Sequence, residues 1–586
     1  MVSLLLSAIV TTRSNENLMT LKVFLNARSY VMRGRIFAVL TVVILIAQLA
    51  RLLSAGSPAH SSAASAPIRF DDIAQSAGLD FVLQNSPTPE KHLIETMAGG
   101  VAAFDYDGDG RPDIFFTNGA AVPSLQKTSP EFWNRLYRNE GHLKFRDVTR
   151  EAGLPGEGYS MGVAAADFDN DGHADLFVAG VNRNILYHNL GNGHFQDITD
   201  AAGIKSGKWA VAAGWFDYDN DGRLDLWVVH YAKWTPSTDR YCGDQSRGIR
   251  IYCHPKYYEG LPNTLYHNLG NNRFEDVSER AGIAAFPGRG MSVAFADYDG
   301  DGFVDAFVTN DNMPNFLFRN RGDGRFEETA LTAGVALRGD GKPVASMGAD
   351  FRDYNNDGRP DIVFTALAGE TFPLFKNEGN GSFSDATYTS RIGALTIPHS
   401  GWGVGLCDLN NDGWKDLFTV DSHVNDRVES FEKAVYKEAN SVFLNQGDGT
   451  FADVSDSAGL REKKAHRGSG FADFDGDGRI DVVVSALGEP AELWHNISPQ
   501  LNHWVAFHLL GTRSNRDSIN TAIKIGSQQN QMTSAVSYAS SSLGNVHFGL
   551  ANQKTLDRVE IRWPDGRTQI LNEVAADQIV TVHEPD

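Results

Sequence analysis

The chain has 586 residues, 42% apolar and 10% aromatic, enough to bury a large core. Its formal charge of −21 argues against a nucleic-acid partner, and its 58 glycines fit a turn-rich β protein.

The first predicted element is a targeting segment. Arg33 and Arg35 precede an apolar run over 36–47, and small residues follow to Ala66. The run is shorter than the ~18 residues a spanning helix needs, so residues 1–66 are expected to be a signal peptide with its linker. The alternative is an uncleaved N-terminal anchor, the one case in which membrane contact is expected. No cysteine sits near the expected cleavage region, which disfavours a lipid anchor. The protein is therefore expected to be exported, to the periplasm, the extracellular space or as a secreted product.

From residue 105 a nine-residue loop returns seven times at an average spacing of about 61 residues. Carboxylates or amides stand at positions 1, 3, 5 and 9, with glycine at position 6. The first two loops offer Asp105, Asp107, Asp109 and Asp113, then Asp167, Asp169, Asp171 and Asp175. The third and fourth offer Asp217, Asp219, Asp221 and Asp225, then Asp297, Asp299, Asp301 and Asp305. The fifth and sixth offer Asp353, Asn355, Asp357 and Asp361, then Asp408, Asn410, Asp412 and Asp416, and the last offers Asp473, Asp475, Asp477 and Asp481. An all-oxygen donor set around a turn glycine suits a hard cation, and up to seven Ca²⁺ are expected, with weaker sites where asparagine replaces aspartate. Seven Ca²⁺ would bring the formal charge from −21 to −7, so the acidity belongs largely to these loops.

Each loop follows a Gly- and Ala-rich apolar stretch and precedes a strand-like run such as Ile114-Phe-Phe or Val482-Val-Val, so it joins strands A and B of a repeat. A Leu-Tyr-x-Asn segment and a Phe-x-Asp segment then form a second hairpin, strands C and D. The seventh repeat lacks its Phe-x-Asp strand, whereas a spare copy, Phe70-Asp-Asp-Ile73, precedes the first loop. The expected fold is all-β: a seven-bladed β-propeller over 67–497 closed by that spare strand, with a small β domain over 498–586. A row of separate helix-flanked calcium modules does not fit flanks that are β- and glycine-rich.

This strand order puts all the metal loops on one face and the longer insertions, 118–134, 230–262 and 421–440, on the other. In 230–262, Tyr231, Trp234, Tyr241, Tyr252, Tyr257 and Tyr258 gather around Cys242 and Cys253, expected as a disulfide in an exported chain, with two buried thiols as the alternative. The rings suit recognition of a protein or sugar, or equally pack the loop onto its own blade. Cys407 reads as a small core residue. Glu95, Trp209, Arg289, His399, Trp402, His466 and Arg467 lie just before strand A of their repeats and are candidate ligand-binding residues around the channel mouth. His188, His267 and His495 hold equivalent positions on different repeats and are expected to serve the scaffold.

The repeats resemble FG-GAP/VCBS calcium repeats of the kind found in integrin α-chain propellers. Asn515-Arg516-Asp517, Val546-His-Phe-Gly-Leu550 and Val559-Glu-Ile-Arg-Trp-Pro-Asp-Gly566 resemble the ASPIC/UnbV domain. Together, over residues 68–586, they are similar to the cartilage acidic protein family and its bacterial relatives. The resemblance implies an extracellular calcium-binding protein with an adhesion or interaction role. The chain departs from the family pattern at Asn520, where glycine is usual, a position at which asparagine also tolerates positive φ. The functional expectation is a binding module whose calcium is mainly structural and whose protein or glycan ligand sits opposite the metal loops. The alternative is a hydrolase or lyase acting on a glycan at the channel mouth; no catalytic residue stands out.

Overall fold

The computed structural model describes residues 67–586, so the targeting expectation for 1–66 lies outside the described residues. The described chain is predominantly β, and its repeats form seven sheets with four antiparallel strands each. In the first, Val101–Phe104, Asp113–Phe116, Arg135–Asn139 and Phe145–Asp147 lie side by side in that order. Strands Tyr159–Ala166, Ala210–Phe216, Gly290–Ala296, Ala349–Arg352, Gly401–Cys407 and His466–Ala472 open the other six. The last sheet takes its fourth strand from the chain start: Phe70–Asp72 lies antiparallel to Glu492–Asn496, with Phe70 opposite Asn496. The opening strands pack against one another in chain order, and His466–Ala472 packs against Val101–Phe104.

The sequence accounts for this packing locally. Opening strands are rich in Gly and Ala because neighbouring backbones approach closely there: a Cβ on Gly162 would stand 2.3 Å from the Val211 carbonyl oxygen. Most fourth strands run into a one-turn helix such as Thr149–Ala152, ended by Gly153 at φ 77°. Thr149 Oγ1 accepts the Leu136 N–H at 2.9 Å, which ties this turn back to the third strand.

The asparagine of Leu-Tyr-x-Asn links one sheet to the next. Its backbone N–H donates to the position-9 aspartate of its own loop, as Asn189 does to Asp175 at 2.7 Å. Its side-chain amide donates to the position-2 carbonyl of the preceding loop: Asn189 to Tyr106 at 2.8 Å, Asn268 to Phe168 at 2.9 Å, Asn320 to Tyr218 at 2.7 Å. Asn377, Asn445 and Asn496 repeat the bond to Tyr298, Tyr354 and Leu409, and Asn139 makes it to Phe474 of the seventh loop.

The C-terminal segment builds two sheets, one of His503–Leu510 between Val546–Ala551 and Gln578–His583, the other of Gln528–Gln531, Ala522–Ile525, Thr555–Arg562 and Thr568–Ala575. Between them a hairpin, Ala535–Val536 and Ser540–Ser542, leaves the domain and joins the first sheet, with Ser541 parallel to Ala102. Its tip reaches the opening strands around it. Ala539 O accepts the Val163 N–H at 3.0 Å, and Ser537 exchanges backbone bonds with Ala349. Ser537 Oγ accepts from Val404 N and meets Ser469 Oγ at 2.8 Å, while Ser292 Oγ donates to Ser537 O. Tyr538 is fully buried, donates to Met97 O at 2.7 Å and meets the Trp402 ring edge-on at 4.9 Å.

Candidate metal centres and the open face

All seven Asp loops connect the first and second strands of their sheets. In each, the position-1 aspartate accepts the N–H of the position-6 glycine, at 2.7 Å for Gly110 to Asp105 and 2.8 Å for Gly478 to Asp473. The position-9 aspartates are buried at the strand entrance: Asp113, Asp175, Asp225, Asp305, Asp361, Asp416 and Asp481 are at most 1% exposed. Positions 1, 3 and 9 converge: Asp105, Asp107 and Asp113, and likewise Asp167, Asp169 and Asp175, offer oxygens within 4.8 Å of one another.

Such crowding is electrostatically expensive. Burial, reinforced by neighbouring carboxylates, pushes Asp113, Asp167 and Asp217 up to about 8 and Asp473 to about 7. Asp107 Oδ1 and Asp219 Oδ1 are buried without a hydrogen-bond partner. A donor set rich in carboxylate oxygens, some of them orphaned, fits Ca²⁺, which positions 1, 3, 5 and 9 would hold with the position-7 carbonyl; in four loops a position-7 arginine, Arg111, Arg223, Arg359 or Arg479, pairs with the position-5 carboxylate.

The residue before the clip asparagine stands over these carboxylates. Arg138 Nε lies 2.6 Å from Asp107, Arg319 Nε 2.6 Å from Asp299 and Lys376 Nζ 3.6 Å from Asp357. His188, His267 and His495 take this place in the second, third and seventh sheets. Each therefore adjoins its own Asp loop, a proximity that repeat position alone did not reveal.

The C-terminal domain covers the Asp-loop side. Asp517 accepts the Asp167 N–H at 2.7 Å, and the Arg516 N–H donates to Asn170 Oδ1 at 2.7 Å. Asn520, at φ 81°, donates to Asp217 O, Arg562 pairs with Asp297 at 3.5 Å, and the Ala551 N–H donates to Asn411 O. Buried Lys415 donates to both Asp353 O and Gln529 O.

The opposite ends of the strands leave a cleft of 750 Å³. Tyr241, Tyr252 and Tyr257 of the long insertion line it with Asp311, Glu370, Trp402, His423 and Asn425. Cys242 and Cys253 are joined as a disulfide, and Cys407 is a partly buried free thiol pushed up to about 12 by desolvation. Of the insertion's rings, Tyr231, Trp234, Tyr252 and Tyr258 are buried, whereas Tyr241 and Tyr257 are 39% and 46% exposed. The Lys91–Asp426 ion pair at 2.5 Å and the His92 Nδ1–Asp239 hydrogen bond at 2.6 Å tie the insertions to the N-terminal segment.

The seven candidate ligand residues do not converge on this cleft, and only Trp402 lines it. Glu95, Trp209, Trp402, His466 and Arg467 are at most 1% exposed. Glu95 accepts from Thr88 and Tyr252, and His466 pairs with Glu492 at 3.1 Å. Arg467 stacks on Trp402 at 4.0 Å and donates to Thr96 O. Arg289 donates to the carbonyls of Tyr258 and Asp311, and His399 opens onto a separate groove beside Glu438. The physical reason is the hairpin: Tyr538, fully buried, packs on Trp402 and donates to Met97 O, so side chains entering the opening strands pack inward instead of rimming an opening. Sequence reasoning missed this hairpin, whose signal is the run of small residues in Ala535-Val-Ser-Tyr-Ala-Ser-Ser-Ser542.

Comparison with known families matches an FG-GAP-like repeat over residues 105–178, 167–228, 251–308, 297–364, 353–419 and 434–484, more than half of the chain. Residues 511–586 match ASPIC and UnbV. Cartilage acidic protein 1 of Homo sapiens is 26% identical over 325 residues, covering 53% of this chain and 46% of that protein. The chain thus spans about half the length of this curated relative. Cartilage acidic protein 1 of Xenopus tropicalis is 23% identical over 503 residues, covering 80% of this chain and 61% of that protein. Among solved structures, an Agrocybe aegerita lectin aligns over 68% of this chain and 90% of its own, at 18% identity and TM-score 0.35.

Proposed function

The chain belongs to the FG-GAP-like repeat family and ends in an ASPIC/UnbV domain, and from this we propose an exported, calcium-binding, seven-bladed β-propeller that acts as a binding module. Ca²⁺ in the Asp loops chiefly stabilises the ring. At millimolar Ca²⁺ and affinity near ~10⁻⁴ M, each independent site contributes ~1.4 kcal/mol. The ligand, a protein or a glycan, binds on the face opposite these loops.

The observation that carries this reading is the division of faces. The C-terminal domain occupies the Asp-loop side, while the other side keeps a 750 Å³ cleft with exposed tyrosines on a disulfide-closed loop. A disulfide of this kind accords with an oxidising, extracytoplasmic setting. Rigid aromatic rings beside amide and carboxylate groups suit protein or sugar recognition.

The test is a glycan and protein-binding screen with Ca²⁺ and with chelator, repeated with Y241A/Y257A. Calcium-dependent binding that the double variant weakens at least tenfold supports the module. Binding unchanged in the variant would move the ligand elsewhere, and turnover of a screened glycan would replace the module with an enzyme.

A further inference from the structure

The open cleft is short of positive charge. Its lining includes three carboxylates, Asp311, Glu370 and Glu432, against one guanidinium, Arg240. The two lining histidines add no cation at neutral pH, because burial holds His254 below its ordinary value and His423 at about 4.

Asp311 and Glu370 come from connections of neighbouring sheets, and Ala345 brings them together. Ala345 bridges antiparallel to Asp311, and its N–H donates to Glu370 Oε2 at 2.9 Å. Glu370 also accepts the Leu367 N–H, while Asp311 accepts from the Tyr231 hydroxyl at 2.7 Å and the Asn312 amide at 2.9 Å. All of these partners are uncharged. The nearby guanidiniums are engaged elsewhere: Arg289 donates to the carbonyls of Tyr258, Asp311 and Asn312, and Arg338 donates to the Glu370 carbonyl and pairs with Asp340. Burial pushes both carboxyls up, and Asp311 adds to the push on Glu370.

Asn425 is a second, independent observation in the same cleft. It is 6% exposed, and its Oδ1 is buried without a hydrogen-bond partner. At the rim, the tyrosine rings already hold cations of the chain itself. Arg240 and Lys256 lie 5.7 and 5.2 Å from the Tyr257 ring centre, and Arg250 lies 5.2 Å from that of Tyr241. Deeper in, the two carboxylates have no such cation.

We propose that the cleft binds a lysine or arginine side chain presented by a basic segment of a partner protein. The cationic head sits against Asp311 and Glu370, with Asn425 Oδ1 as a further acceptor, and the flanking main chain crosses the exposed Tyr241, Tyr257 and Phe431. The inference rests on the reading of this cleft as the ligand site, and it names the chemistry of the ligand. A neutral sugar would leave the two carboxylates desolvated without a counter-charge, and an acidic sugar would add repulsion. A volume of 750 Å³ exceeds what one cationic head fills, which favours a peptide segment over a small amine.

The test titrates Ca²⁺-loaded full-length protein with labelled pentapeptides that differ only in a central arginine, lysine or citrulline. The arginine and lysine peptides should bind, the isosteric but neutral citrulline peptide should bind about tenfold more weakly, and affinity should fall at ~0.5 M NaCl. D311N and E370Q should each weaken the arginine peptide about tenfold, and N425D should tighten it. E370Q keeps an acceptor for the Ala345 and Leu367 N–H groups, and a melting midpoint recorded for every variant checks folding. Equal affinity for the arginine and citrulline peptides, or unchanged affinity in folded E370Q, overturns the inference. If no peptide binds but a glycan does, and Y241A/Y257A weakens it, the cationic ligand is overturned and the binding module stands. If neither peptide, protein nor glycan binds, both are overturned.

Discussion

The Asn139 side-chain amide donates to the Phe474 carbonyl at 2.9 Å, joining the first sheet to the last across 335 positions of sequence. Asn139 is fully buried, so its loss leaves a carbonyl without its donor. N139A is expected to cost about 1–3 kcal/mol in chemical denaturation, and N377A, at the equivalent junction with Tyr298, a similar amount. A cost for N139A no greater than that of the exposed N192A would show that the bond does not hold the two sheets together.

Calcium stabilisation should depend on pH, with a sign set by the buried aspartates. Asp113, Asp167 and Asp217 have folded values raised from 3.8 to about 8, so the metal-free folded chain holds protons that the unfolded chain releases. Their contribution to stability is fully present below about pH 4 and is lost as pH rises through about 8. Melting curves from pH 5 to 8 should therefore show the chelated protein weakening and the Ca²⁺-induced shift widening. A Ca²⁺ shift that stays constant over this range would contradict the assignment.

The hairpin of Ala535–Val536 and Ser540–Ser542 predicts that the repeat sheets and the C-terminal segment unfold together. Y538A removes a buried ring that packs on Trp402 and donates to Met97, at an expected cost of about 3–5 kcal/mol. G468A should also destabilise, because its Cβ would stand 2.3 Å from the Gly99 carbonyl oxygen and 2.5 Å from Ser540 Oγ. Differential scanning calorimetry should give a single transition that moves in both variants. Two transitions, with only the C-terminal one shifted, would mean that the hairpin does not couple the two parts.

The Cys242–Cys253 bridge closes a short loop held to the rest by His92–Asp239 and Tyr252–Glu95. Chain-entropy arguments give such a bridge roughly 2–3 kcal/mol, acting locally. C242S/C253S is expected to sensitise residues 240–255 to proteolysis while global melting moves little. Equal cleavage of both proteins in that segment would show that packing of Tyr231, Trp234 and Tyr258 alone orders the loop.

The Asp loops were legible because their carboxylates lie within nine residues, and the strands around them because alternation and turn glycines are local signals. The spare strand Phe70–Asp72 was legible by counting, since the seventh repeat lacks one. The candidate ligand residues were not legible in the same way. His466 and Arg467 stand in repeat register with the others, but their burial depends on Glu492, Thr96 and Trp402, which come from other parts of the chain. The histidines show the same limit: repeat position correctly separates His188 from His267, yet only the sheet register brings His188 to Asp169.

By itself the sequence determined the repeat, the carboxylates that could take cations, and the ends of the strands at which loops and insertions emerge. Periodicity and nine-residue spacing are properties of neighbouring residues and survive without a fold. The tertiary structure alone decided that the asparagine of each repeat clips the preceding loop and that a small-residue hairpin packs among the opening strands. It also decided that the C-terminal domain roofs the Asp loops, leaving the aromatic cleft open on the far side. Those outcomes depend on close approach between segments hundreds of residues apart, where glycine, alanine and serine matter for the space they leave, a quantity that linear pattern does not encode.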